Sequence, residues 1–210
     1  MSDIREKIIE ERLRNIKRII AVSSSKGGVG KTLIASVASL LLSRACYKTG
    51  LIDLDFTSPS CHIVLACDYN FPEENKGILP VNTSGIQFMS PVLFSKNKAM
   101  ALRGSDITSM IKEMLAITIW DKLDFLIIDT TPGLSESKVR ILGIVENMHR
   151  TKSKKIKISF KHSIKTASIG FDQEIERYIG KPEKIIRTRF AKELKTALKN
   201  LSILNKNKNG

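Results

Sequence analysis

Near the N-terminus, Lys26-Gly27-Gly28-Val29-Gly30-Lys31-Thr32 places three glycines, two lysines and a hydroxyl in one short stretch. Glycines let the backbone curl until successive N–H groups point at a single phosphate. At this spacing Lys31 reaches the β- and γ-phosphates, and the Thr32 hydroxyl is a ligand for Mg²⁺. Where the usual phosphate-loop pattern has its first glycine, this chain has Ser25, and Lys26 adds a second cation inside the loop. Three carboxylates stand at the ends of apolar runs: Asp53, Asp55 and Asp129. Asp129 closes the run Leu123-Asp124-Phe125-Leu126-Ile127-Ile128, the arrangement in which a carboxylate holds Mg²⁺ through water. For Asp53 and Asp55, spacing leaves two readings open. They serve a metal and an attacking water, or they are ordinary turn carboxylates at a strand end. The alternation of a strand would turn both to the same side. Cys61, His62 and Cys67 match no zinc spacing and read as a histidine between buried thiols.

These residues need a strand, a tight turn and a helix in that order. Residues 19–22 read as a buried strand and residues 33–42 as a buried helix, with the glycine-rich loop between them. The helix N-terminus adds partial positive charge at the loop. Ahead of the strand, Asp3 and Glu6 form a capping box for a helix whose apolar stripe is Ile4, Ile8, Leu13 and Ile16. Downstream, strands are expected at 51–55, 86–90, 123–129 and 143–148. Ser105 is expected to cap a helix running to Ile117 with Met110, Met114 and Leu115 inward. Between the 123–129 strand and the next, residues 134–144 are too few for a crossover helix plus a strand. Residues 136–140 are expected to make at most a minimal connection there. Residues 156–160 read as a lysine-rich edge strand, and 171–179 and 190–201 as helices. In the last, Leu194, Leu198 and Leu201 share the inner face, and Lys192, Lys195 and Lys199 point to solvent. The fold class is α/β: a three-layer sandwich around a mostly parallel, doubly wound sheet, with ligand at the carboxyl edge of the strands.

The 210 residues suit one domain, 1–210, with a basic C-terminal region at 150–210. That region has 17 Lys+Arg against 5 Asp+Glu, or +12 of the total +14. It is expected to contact polyanion, nucleic acid above all, or to be a solvated lysine-rich surface of the kind common in proteins from hot environments. No apolar run approaches the ~20 residues of a membrane span. The charged N-terminus is no secretory signal, and three cysteines form no disulfide framework, so a cytoplasmic location is expected.

The loop, with its extra Lys26, resembles the deviant phosphate-binding loop of the MinD/ParA group of P-loop ATPases. Asp53-Leu54-Asp55-Phe56-Thr57-Ser58-Pro59-Ser60, Arg103-Gly104 and Glu146-Asn147-Met148 resemble the Mrp branch, the iron–sulfur cluster carriers. The resemblance spans roughly residues 15–148. It implies ATP and Mg²⁺ as cofactors, slow hydrolysis, and a nucleotide-dependent homodimer in which Lys26 crosses to the partner's nucleotide. It assigns nucleotide binding to Gly27, Gly28, Val29, Gly30, Lys31, Thr32 and Leu33, with Asn147 at adenine. Metal falls to Thr32, Asp53 and Asp129, and catalysis to Lys26 and Asp55. A switch loop falls to Thr131, Pro132 and Gly133. The implied partners are iron–sulfur assembly proteins. The Cys-x-x-Cys that carriers of this branch place shortly after the Asn-Met pair is missing, because no cysteine follows Cys67. The alternative is a partitioning or positioning ATPase whose basic tail holds nucleic acid.

Overall fold

The computed structural model describes residues 4–68, 72–95, 107–131, 141–149 and 164–204. The Arg103-Gly104 pair, the Ser105 cap, Pro132, Gly133 and the 156–160 strand expected from sequence lie outside the described residues. In chain order the elements are α1 (Ile4–Leu13), β1 (Ile16–Val22), α2 (Lys31–Arg44), β2 (Thr49–Asp53) and α3 (Cys61–Leu65). They continue with β3 (Val81–Thr83), β4 (Ile86–Met89), α4 (Val92–Ser95), α5 (Ile107–Ile117) and β5 (Leu123–Asp129). The C-terminal part adds β6 (Ile144–His149), β7 (Thr166–Gly170), a 3₁₀ turn (Ile175–Tyr178), α6 (Pro182–Ile185) and α7 (Arg189–Asn200).

Five strands form the main sheet in the order β1-β5-β2-β4-β3, parallel except for β3, which pairs antiparallel with β4. The path from β1 to β2 moves one way across the sheet, and the path from β4 to β5 moves back. Right-handed crossovers therefore put α2 and α5 on opposite faces, the three-layer arrangement. β2 lies between β5 and β4 and is buried at all five positions, as a parallel strand flanked on both sides should be. The central stretch of α2, Ala35 to Leu42, is buried throughout.

Residues 19–22 are not the buried strand expected. β1 is the sheet's outer member and pairs only with β5 among the described residues, so Ile19 is 43% exposed. The N-terminal helix buries none of its residues, and Ile16 belongs to β1 instead. α1 is held to α5 by polar contacts: Arg5 donates to Ser109 (2.9 Å), Lys112 pairs with Glu6 (2.9 Å), and Arg12 donates to the Ala116 carbonyl (3.2 Å).

The C-terminal part is not a free tail. β6 and β7 pair parallel in a two-stranded sheet of their own, rather than extending the main one. α7 packs on α2 and on β7. Ile185, Phe190, Leu194, Leu198 and Leu204 join the same buried cluster as α2 and β2. Thr188 caps α7 by accepting from the Ala191 N–H (3.2 Å), and Lys192, Lys195 and Lys199 are exposed, as expected. The helix expected over 171–179 shrinks to one 3₁₀ turn. Asp172 is the reason: its carboxylate accepts from the Glu174 N–H (3.1 Å) and, across the chain, from the Phe190 N–H (3.0 Å). Such side-chain bonds compete with helix propagation, and left-handed Gly180 (φ 72°) closes the segment.

Candidate nucleotide and metal site

Strand register builds the site. Val22, the last residue of β1, stands opposite Asp129, and Asp129 stands opposite Asp53 on β2. The three strand ends thus bring the loop entrance and two carboxylates to one carboxyl edge. The chain leaves β1 and turns through Gly28 (φ 72°) and Gly30 (φ 81°) before α2 begins at Lys31. Side chains other than glycine rarely adopt these left-handed values, which is why the turn is spelled with glycine. Gly30 has a second constraint. A Cβ there would come within 2.6 Å of the Asn147 side-chain nitrogen.

Thr32, in the first turn of α2, donates its hydroxyl to Oδ2 of Asp129 at 2.6 Å. The other oxygen, Oδ1, is buried without a hydrogen-bond partner. Asp53 is fully buried and held from three directions: Oδ1 accepts from the Asp55 N–H (3.0 Å), and Oδ2 from the N–H groups of Ser60 (3.0 Å) and Cys61 (3.1 Å). Burial first, then the facing Asp129 carboxylate, pushes Asp53 up to about 7 from the ordinary 3.8. Burial also raises Asp129, opposed by its hydrogen bonds from Thr32 and Cys61 and by the charge of Lys31. A buried carboxylate with an idle oxygen beside a hydroxyl suits a divalent cation. Thr32 and Asp129 are the residues that would hold Mg²⁺, and such an ion supplies charge neutralisation at the phosphates.

Asp55 behaves differently from Asp53. The strand ends at Asp53, so the expected alternation stops there, and Asp55 belongs to the following loop. It is half-buried, and its Oδ1 accepts from the Thr57 N–H (3.1 Å), the Thr57 hydroxyl (2.6 Å) and the Ser58 N–H (3.0 Å). It shapes the turn and leaves its second oxygen for other work. Lys26 is exposed, and its carbonyl accepts from the Ser24 hydroxyl (2.6 Å). Thr130 donates to the Val22 carbonyl (3.0 Å), tying the start of the expected switch segment to the loop strand; Thr131 follows it half-buried.

Asn147 arrives from the other sheet. Its amide donates to the Val29 carbonyl at 2.9 Å, so this asparagine touches the phosphate loop itself. Of the thiols, Cys46 is exposed just past α2, and Cys67 is buried and donates to the Asp68 carbonyl (3.6 Å). Cys61 is the residue that sequence spacing missed. Its Sγ donates to Oδ2 of Asp129 at 3.5 Å, a partner 68 positions away in the chain. Burial, and then Asp53 and Asp129, raise this thiol well above its usual value.

A family model described as NUBPL iron-transfer P-loop NTPase matches residues 15–139. Among curated proteins, a cytosolic Fe-S cluster assembly factor Nubp2 homolog of Anopheles gambiae is 39% identical over 142 residues, 65% of this chain and 55% of that protein. An iron-sulfur cluster carrier protein of Rickettsia conorii is 37% identical over 139 residues, 65% of this chain and 42% of that one. The chain thus spans about half the length of the curated relatives it matches. Among solved structures, a nucleotide-binding protein of Archaeoglobus fulgidus in complex with ADP superposes with a TM-score of 0.65 at 24% identity, covering 85% of this chain and 93% of that one. The likeness places the two in one fold, the α/β P-loop NTPase fold with a mostly parallel sheet. The loop, the two buried carboxylates on adjacent strands and the family match over 15–139 together make this chain a member of the NUBPL iron-transfer P-loop NTPase family.

Proposed function

We propose that the chain binds and slowly hydrolyses Mg²⁺-ATP, and that nucleotide switches a homodimer acting in iron–sulfur cluster assembly. The observation that carries the reading is the 2.6 Å bond from Thr32 to Asp129 beneath the left-handed glycine turn, with the second Asp129 oxygen buried and idle. In this reading the N–H groups of residues 27–33 and Lys31 hold the phosphates, and Thr32, Asp129 and Asp53 form the metal side. Asp55, whose second oxygen is uncommitted by the turn, orients the attacking water. Exposed Lys26 reaches a partner subunit's nucleotide. Rate enhancement then rests on positioning and on charge neutralisation. Thr131, Pro132 and Gly133 sense the γ-phosphate, and Asn147, already against the loop, contacts adenine. The likeness to cytosolic assembly factors supports a cytoplasmic site of action; no helix among the described residues is long and apolar enough to cross a membrane.

Lys31→Ala tests the reading. Losing charge-assisted bonds to phosphate at about 1.5–3 kcal/mol each should weaken ATP by roughly 100-fold in equilibrium titration. Unchanged affinity would remove the assignment.

A second reading concerns the basic region 150–210. Its +12 balance favours contact with nucleic acid alongside ATP binding. Nine of its 17 cations fall in described residues, and all nine are exposed above an apolar side that is already packed. Duplex affinity that falls by about 0.9 log unit per log of salt for each phosphate neutralised would bear this out. No binding at low ionic strength would leave an ordinary solvated surface.

A further inference from the structure

Cys61 takes no part in the functional reading above, yet it sits between the two carboxylates of the sheet edge. One ligand atom each from Asp53, Cys61 and Asp129 lies within 4.8 Å of the others, and all three residues are buried. Their exposures are 0%, 0% and 1%. Burying two carboxylates beside a thiol is costly unless something positive joins them. The Asp129 oxygen that accepts nothing is itself buried. The Cys61 Sγ to Asp129 Oδ2 separation is 3.5 Å. A tetrahedral ion with S at ~2.3 Å and O at ~2.0 Å would hold those two atoms about 3.5 Å apart. Asp53 is fixed for this task, because three backbone N–H groups clamp its carboxylate, two on Oδ2 and one on Oδ1, and leave a lone pair on Oδ1. The half-buried Thr32 hydroxyl, on the same Asp129 oxygen, links the cluster to the open loop.

We propose that Asp53, Cys61 and Asp129 form a site for a thiophilic divalent cation of the Zn²⁺, Co²⁺ or Fe²⁺ class, which fills in the absence of nucleotide. A thiolate with two carboxylates selects such ions over Mg²⁺, which favours six oxygens in near-ideal octahedral geometry. On binding, the thiol proton and the proton held on Asp53 below its raised value leave to solvent, and a sulfur–metal–oxygen link replaces the S–H···O bond; no oxidation state changes. Three protein ligands leave a fourth position for water. The site shares Asp53 and Asp129 with the metal side of the ATP reading, but it does not depend on nucleotide being bound at all.

The test is Co²⁺ titration of the full chain without nucleotide, read by the thiolate-to-cobalt charge-transfer band in the near ultraviolet. The wild type should develop the band to one equivalent in the presence of excess Mg²⁺. Cys61→Ser should lose the band and weaken Co²⁺ by at least about tenfold, since loss of even an outer-shell partner costs 10- to 100-fold. Cys46→Ser/Cys67→Ser, in which Cys61 is the only thiol left, should keep the band. No band in the wild type, or equal bands in wild type and Cys61→Ser, overturns the proposal. ATP affinity measured on the same samples judges the nucleotide reading separately.

Discussion

Two regions meet at the phosphate loop, and they reach it by different physics. Asp53 and Asp129 lie in register on adjacent strands of the main sheet, so backbone hydrogen bonds alone bring them together. Asn147 comes from a separate pair of strands and is joined to the loop by a side-chain bond to Val29 and by its contact with Gly30. The first arrangement is held by the β2–β5 ladder and by the bond from the Leu54 N–H to the Asp129 carbonyl (2.9 Å). The second rests on one neutral hydrogen bond at Asn147, on side-chain contacts of Arg18 with the Ser202 carbonyl and of Arg44 with Glu183, and on the packing of α7 on α2. A ligand-responsive element is expected in the less stable region. The family match has the same boundary, ending at residue 139, before β6 begins.

The contrast breaks most visibly in the core that the two regions share. Leu194 is 1% exposed on α7 within the common apolar cluster. Leu194→Ala should cost about 2–5 kcal/mol. If the regions form one cooperative core, denaturant unfolding followed by near-ultraviolet circular dichroism shows a single transition at a lower midpoint. Two separated transitions would show that α7 and the second sheet unfold independently of the first.

The carboxylate edge should leave its own mark on pH dependence. The folded-state value of Asp53 is raised, so the native state holds a proton that the unfolded chain releases. Its contribution to stability is fully present below the ordinary 3.8 and is lost as pH rises through about 7. Asp129 acts in the same direction. Urea midpoints of metal-free protein should therefore carry a falling component across this window. Asp53→Asn should flatten it, with a residual slope from Asp129. Identical slopes in wild type and variant would mean that the edge is solvated rather than dry.

The smallest expected effect is at the junction. Asn147→Ala removes the bond to the Val29 carbonyl, worth about 1 kcal/mol. Amide exchange in residues 26–32 should quicken while exchange in β2 and β5 stays unchanged. Equal acceleration in both places would abolish the distinction between a rigid edge and a looser partner.

The turn of the loop was legible from its residues, because glycine positions answer to local backbone geometry. α7 was legible for a similar reason: Leu194 and Leu198 repeat at the helical period, and both are buried. Strand existence at 51–53, 86–89, 123–129 and 144–148 also followed from short apolar runs. Less visible was what each strand would lie beside. Residues 19–22 are as apolar as a central strand, yet β1 takes the outer position and exposes Ile19. The strands β3 and β7 carry weak patterns, since their partners, not their own residues, hold them.

By itself, then, the sequence determined a phosphate loop between strand and helix, carboxylates at strand ends, an amphipathic final helix and a basic C-terminal region. Tertiary structure alone decided that Asp53 and Asp129 face each other, that Asn147 closes on Val29, and that Cys61 stands between two carboxylates. The reason is distance along the chain. Helix periods and glycine turns are set by neighbours a few residues apart. The meeting of Cys61 with a residue 68 positions away depends on strand order and register, which no local pattern encodes.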